Sequence, residues 1–230
     1  MKILIPTAKQ MKERNEKERK GINNKTFKVL ESILKVDDLS KFFKIKGEQA
    51  KIEKKRFEEI RNNIAKEYSA IDLFDGLMYR NIKRENLNDL EWKYLDNIYI
   101  TSSFYGVINC KENISLHRLD FLNNLDVDGI SLKKYWQENF DKSIENEKIV
   151  ISLLSSEFEE VFSKELREKM IKIIFKDDGK IHSTISKKAR GKFLTTMIEK
   201  NVMKIEDIKK LEFDGYKLTE EKDNILIFER

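Results

Sequence analysis

An α/β or α+β domain, with a mixed sheet flanked by helices, is what this sequence predicts, and three observations predict it. The chain has 230 residues, 40% hydrophobic and 38% charged. That is enough to bury a core and too apolar for general disorder. Short β-branched runs alternate with segments whose apolar residues recur every three to four positions. Only one proline and eight glycines occur, with no linker-like cluster and no internal repeat, so residues 1–230 read as one domain. No strand–helix repeat is regular enough to assign a Rossmann sheet.

Residues 2–5 open the chain as a strand, followed by Pro6 and then by charges. The segment 11–22 is dominated by charges of mixed sign and reads as a mobile charged loop or a solvated helix. Helical spacing marks 26–36 and 48–66, with Ile52, Phe57, Ile60 and Ile64 as the apolar stripe of the second. Residues 88–97 and 132–140 predict shorter helices. Strands are predicted at 98–101, 148–154, 171–175 and 180–183, the last two joined by an Asp177-Asp178-Gly179 hairpin turn. Ser186 reads as an N-cap, and Phe193, Leu194, Met197 and Ile198 then recur at helical spacing. A short helix at 205–211 and strands at 216–218 and 225–228 end the chain.

Two patterns point to a site. Three strands run into polar loops, at Pro6-Thr7-Ala8-Lys9, at Thr101-Ser102-Ser103-Phe104-Tyr105-Gly106 and at Ser155-Ser156-Glu157-Phe158. Ligands of open α/β sheets sit beyond the carboxyl ends of strands, so parallel strands would turn these loops toward one cleft. The second pattern is Ser186-Lys187-Lys188-Ala189-Arg190-Gly191. With Ser186 as N-cap, Lys187, Lys188 and Arg190 fall in the first turn, where the helix dipole disfavours a cation unless an anion docks there. A solvated lysine face explains the same residues without a ligand.

Other candidates carry bland explanations beside functional ones. Ser156 and Glu159 fit a capping box, which leaves Glu157 as a carboxylate free for a site. His117-Arg118-Leu119-Asp120 sets a titratable ring beside a phosphate-capable guanidinium, or else is a surface Arg–Asp pair. Cys110 is the only cysteine and His117 and His182 the only histidines, so no disulfide forms within the chain and no metal-ligand spacing is present. There is no Walker loop, no glycine-rich dinucleotide fingerprint and no nucleophile elbow. No cofactor is predicted. A net charge of +5 on a lysine-rich chain is weak evidence for nucleic acid by itself. With no signal peptide and no apolar run approaching ~20 residues, the expected place is the cytoplasm, without membrane contact.

Taken in order, these segments resemble the YaaA family of bacterial peroxide-stress proteins. Ile3-Leu4-Ile5-Pro6-Thr7-Ala8-Lys9 looks like the family's opening. Ser102-Ser103-Phe104-Tyr105-Gly106 with His117-Arg118-Leu119-Asp120-Phe121, then Leu153-Leu154-Ser155-Ser156-Glu157-Phe158, are similar to its central blocks. Ser183 to Gly191 and Phe213-Asp214-Gly215-Tyr216 resemble its last two. The resemblance implies an unusual α/β topology with a basic cleft, DNA binding, and a role in limiting damage from peroxide and unincorporated iron. Residues 109–116 depart from the family by being more polar.

The expectation is therefore a cytoplasmic, monomeric DNA-binding protein of the peroxide response, with structured or single-stranded DNA among its partners. Lys9, Arg118, Lys187, Lys188 and Arg190 would contact phosphate. His117 and Tyr105 would line the cleft, and Ser102 and Ser156 would donate hydrogen bonds. The alternative is an enzyme acting on a nucleotide or nucleobase, with Glu157 and His117 as acid and base. A carboxylate inside the cleft separates the two, since an anion-binding surface has little use for one. A scaffold with merely solvated cations is the third reading.

Overall fold

The apolar runs assemble into one seven-stranded sheet, in a computed structural model that describes residues 1–230. The first half of the chain contributes β1 (Lys2–Pro6), α1 (Asn24–Leu34), α2 (Leu39–Phe43), α3 (Gly47–Arg61), β2 (Glu67–Ser69) and α4 (Ala70–Leu73). A 3-10 turn at Tyr79–Asn81 and α5 (Asp89–Tyr94) lead to β3 (Ile98–Ser102), β4 (Gly106–Asn109) and β5 (Asn113–Ser115). The small hairpin β6 (Asp126–Val127) and β7 (Ile130–Ser131) precedes α6 (Leu132–Ile144) and β8 (Val150–Ser152). Then come α7 (Ser156–Glu159), α8 (Lys164–Lys169), β9 (Ile171–Lys176), α9 (Ser183–Glu199), α10 (Ile205–Ile208), β10 (Lys217–Lys222) and β11 (Ile225–Glu229).

The sheet order is β10-β11-β9-β8-β1-β3-β4. The five inner strands are parallel, and each edge is closed by an antiparallel partner, β10 on β11 and β4 on β3. Parallel strands covered on both faces read as continuous apolar runs, and Ile3-Leu4-Ile5 is fully buried accordingly. The chain leaves β1 toward β3 on one side and returns to β8 on the other. The carboxyl ends of β1 and β8 therefore flank the point where strand order reverses, the place where open α/β sheets form a crevice. Leu153 N–H donates to the Leu4 carbonyl at 3.0 Å and locks the two exits together.

Several sequence expectations are corrected. Residues 180–183 form no strand: Asp177 bridges Lys180 across a tight turn, and α9 then starts at Ser183. Its N-cap is His182, one turn before Ser186. Ser186 lies instead on the buried face with Ala189, Phe193 and Met197, where a small side chain allows close packing. In α3 the buried positions are Ala50, Glu53, Phe57 and Ile60, while Ile52 and Ile64 are 53% and 61% exposed. The stripe follows the face that α1 and α2 cover.

The charged segment 11–22 is extended and bonded to the body. Lys12 N–H donates to the Leu73 carbonyl at 2.8 Å. Arg14 reaches Asp75 at 2.7 Å, and the Glu67 carboxylate accepts from the backbone N–H groups of Lys20 and Gly21 at 2.9 Å each.

Candidate functional site

The parallel pairing of β1 with β8 brings the loops after both strands to one edge, where they form a cleft of about 620 Å³. Thr7, Ala8 and Lys9 enter it from the β1 exit, and Ser155, Glu157 and Phe158 from the β8 exit. Leu119 and Asp120 form another wall, residues 76–80 a further one, and Lys187 and Arg190 reach in from α9. Spacing i,i+3 puts those two cations on one helix face. Tyr79 Oη donates to the Pro6 carbonyl at 2.8 Å and pins the 76–80 wall to the end of β1.

Glu157 is the half-buried acid of this cleft. Its Oε1 is buried and has no hydrogen-bond partner. Burial raises its pKa above the ordinary glutamate range and the neighbouring Asp120 charge adds to this, while Lys9 and the Phe121 backbone N–H beside the carboxylate oppose it. Asp120 itself is held, with Oδ1 accepting from Leu122 N–H at 3.0 Å and Oδ2 paired to Lys9 at 2.9 Å. The expected capping box does not form. Ser155, not Ser156, occupies the N-cap of α7 without a side-chain bond. Glu159 instead accepts from Ser152 Oγ at 2.7 Å and pairs with Lys172 at 2.9 Å, which draws it away from the helix start.

Arg190 is the counterpart. Its Nε is buried without a hydrogen-bond partner, and burial lowers its pKa while the Glu159 charge acts against that. Two residues on, Lys192 pairs with Asp214 at 2.7 Å. No carboxylate stands within 4.0 Å of the cationic atoms of Lys187, Lys188 or Arg190. These cations lie beyond the first turn of α9, where the dipole effect has faded. Any anion attraction here therefore belongs to the side chains and not to a helix terminus.

The remaining sequence candidates lie elsewhere. His117 is buried, with Nδ1 2.8 Å from the Ser115 carbonyl. Its ring stacks on Phe104 at 5.0 Å and meets Tyr105 edge-on, and burial holds its pKa down at about 4. It does not line the cleft, and neither does Tyr105, whose buried Oη accepts from Ser115 N–H at 3.0 Å. Ser102 Oγ accepts from Phe104 and Tyr105 N–H groups and shapes the β3–β4 turn. At that turn Gly106 has φ +79°, and an added Cβ would meet Trp136. Arg118 is half-buried on the Glu53 side. Ser156 and Lys188 are exposed and outside the cleft lining.

Neither thiol nor clustered-ligand chemistry has a visible home. Cys110 is fully buried, its thiol donates to the Leu95 carbonyl, and burial pushes its pKa up. That is the reverse of a reactive thiolate. No group of three His, Cys, Asp or Glu side chains is placed to hold a metal ion.

Comparison with known proteins places this arrangement. The family described as peroxide stress protein YaaA matches residues 1–222. The chain belongs to the YaaA family. A UPF0246 protein of Streptococcus gordonii is 48% identical over 228 residues, covering 96% of this chain and 93% of that protein. One from Streptococcus pneumoniae is 44% identical over 224 residues, covering 94% and 93%.

Within this YaaA-family chain, Lys9, Glu157, Lys187 and Arg190 were visible in the sequence and meet in one cleft. Gly76 and Arg80 were not singled out, and Thr7 and Ser155 entered only as members of the strand-exit loops. The Asp75-Gly76 dipeptide is the signal that was present, since Asp-Gly marks a turn. Gly76 is needed there because a Cβ would come within 2.7 Å of Ala8 Cβ. Arg80 is fixed by Asp75 at 3.0 Å and by Gln10 at 3.2 Å.

Proposed function

We propose that this peroxide-stress-family chain is a cytoplasmic, monomeric nucleic-acid-binding protein that holds DNA phosphates at the mouth of the cleft. Shielding of the bound DNA would be its means of limiting damage from peroxide and unincorporated iron. The observation that carries this reading is the run of cations without an ion-pair partner, Lys187, Lys188 and Arg190, on one segment of α9. Three cations within four residues, none paired to a carboxylate, raise the local positive potential, and that favours an external anion. Lys9, 60% exposed at its side chain, would exchange Asp120 for phosphate. Contacts of this kind position a duplex without reading its sequence.

Salt dependence tests it. In Lys187→Gln/Lys188→Gln, affinity for duplex DNA should fall, and each lost phosphate contact should flatten the slope of log K against log salt by roughly 0.7–0.9. Stability should hold level, because both side chains are exposed and past the first turn. An unchanged slope refutes the assignment.

A second reading, an enzyme acting on a nucleotide or nucleobase, is favoured by one observation. Glu157 lines the cleft with a buried, unpartnered oxygen. Phosphate binding gains nothing from a carboxylate there, whereas proton transfer needs one. His117 supplies no partner in this role, being enclosed by aromatic rings. Mass-spectrometric screening of nucleotides and nucleobases with wild type and Glu157→Gln decides it. A product lost by about 10²–10⁴-fold in the variant supports catalysis; no product from the wild type rejects it.

A further inference from the structure

The cleft holds two buried polar atoms that the protein leaves unsatisfied, and their demands are opposite. Glu157 Oε1 is an acceptor and Arg190 Nε–H is a donor. They do not answer each other. No ion pair joins them within 4.0 Å, and their charged surroundings differ: Asp120 and Lys9 for Glu157, Glu159 for Arg190. Both line the same space. Unmet buried groups of this kind cost free energy, and where two of them line one cleft a ligand can supply both missing partners.

We propose that the inner cleft is a mononucleotide pocket, in which Arg190 takes the phosphate and Glu157 takes an N–H edge of the base. This rests on the second reading for what enters the cleft, and deepens it by naming the ligand and the two contacts. A ligand that satisfies both groups must carry an anion at one end and an N–H donor at the other. Inorganic phosphate leaves Glu157 unanswered, and a neutral nucleoside leaves Arg190 unanswered.

The wall chemistry agrees. Leu119, Met78 and Phe158 present apolar surface to the cleft, suited to the flat body of a base. A volume of about 620 Å³ lies within the usual range for small-ligand sites. It cannot admit a duplex, so a nucleotide from a strand would enter unstacked, with Lys187 at the mouth holding a flanking phosphate. Glu157 accepts N–H from a guanine, adenine or cytosine edge, and the choice among them is read by experiment.

The test is calorimetric titration of the full chain with GMP, AMP and CMP, with their nucleosides, with ribose 5-phosphate and with inorganic phosphate. At least one monophosphate should bind about tenfold or more tighter than its nucleoside and than ribose 5-phosphate, each difference reflecting one charged contact. Arg190→Gln should erase the margin over the nucleoside and leave nucleoside affinity unchanged. Glu157→Gln should erase the margin over ribose 5-phosphate. Arg190→Lys, which keeps the charge but not the fork, repeats the first arm if Arg190→Gln does not fold. Equal binding of ribose 5-phosphate and every monophosphate, or binding of none, overturns the pocket, and the wild-type arms alone decide this. Failure of the enzyme reading looks different: monophosphates bind and no product forms. Turnover of free nucleobases with no monophosphate binding would keep the enzyme and discard the pocket.

Discussion

At the scale of single residues, one buried and one half-buried titratable group pull stability in opposite directions with pH. The ring of His117 is neutral in the fold, with a pKa of about 4 set by burial and only partly offset by the Ser115 carbonyl. In the unfolded chain it titrates near its ordinary 6.5. Between those values the unfolded state binds more protons, so stability rises with pH from about 4 to about 6.5 and is complete above that. This effect amounts to ~3 kcal/mol in order of magnitude. His117→Phe keeps the aromatic packing and removes the proton site. Denaturant titrations at pH 4.5 and 7 should show the acid-side loss shrinking in the variant, and an equal loss would mean the ring is hydrated. Glu157 works the other way. Its folded pKa is raised, so its contribution is favourable below the ordinary glutamate range and is lost as pH rises through the raised value. Glu157→Gln should therefore be as stable as wild type or more stable at pH 7. A melting temperature below wild type would show that Glu157 supports the start of α7 and is no strained site acid.

At the scale of elements, α9 links packing to the cleft. Gly191 sits where the helix crosses the Tyr79–Asn81 turn. An added Cβ would overlap the Met78 carbonyl oxygen and come within 2.7 Å of Asn81 Cβ. Thr195 fastens the same crossing, donating to the Asn81 carbonyl at 2.9 Å and accepting from Lys83 N–H at 2.8 Å. Alanine normally gains ~1 kcal/mol over glycine inside a helix. Here the obstacle is backbone, so Gly191→Ala should instead cost about 1–3 kcal/mol and weaken ligand binding by displacing Arg190. Unchanged stability would show that the turn can retreat. The same helix marks the limit of what the sequence disclosed. The buried strands β1, β3, β8 and β9 are legible because each is a short apolar run; the exits of β1 and β8 lead Lys9 and Glu157 into one cleft, whereas the loop after β3 stays out of it. The start of α9 was misread because Ser186 has the chemistry of a cap, yet is small for packing. Short elements such as β2 and the Tyr79–Asn81 turn owe their shape to distant partners. No local period announces them, and Arg80 and Gly76 stayed hidden with them.

At the scale of the whole molecule, one continuous core of 57 buried residues runs across both faces of the sheet. Five parallel strands demand non-local pairing, and the outermost β10 carries exposed lysine and glutamate side chains and a register irregularity that blunt its free edge. A core without internal division should open as a unit. Cys110 reports on this directly, because it is fully buried just after β4 and is the only thiol. Its raised pKa and lack of access mean that alkylation or oxidation requires opening of the fold. Labelling rates across a denaturant series should then yield the same free energy and slope as global unfolding followed by fluorescence. Hydrogen peroxide should modify Cys110 no faster than the alkylating reagent reaches it. If sulfenic acid formed at a native, denaturant-independent rate, the thiol would be a sensor, and the peroxide role of this family member would belong to Cys110. If labelling tracks unfolding, Cys110 is no peroxide sensor, and the cations of α9 and the acid at the β8 exit become the residues to vary in cells under peroxide.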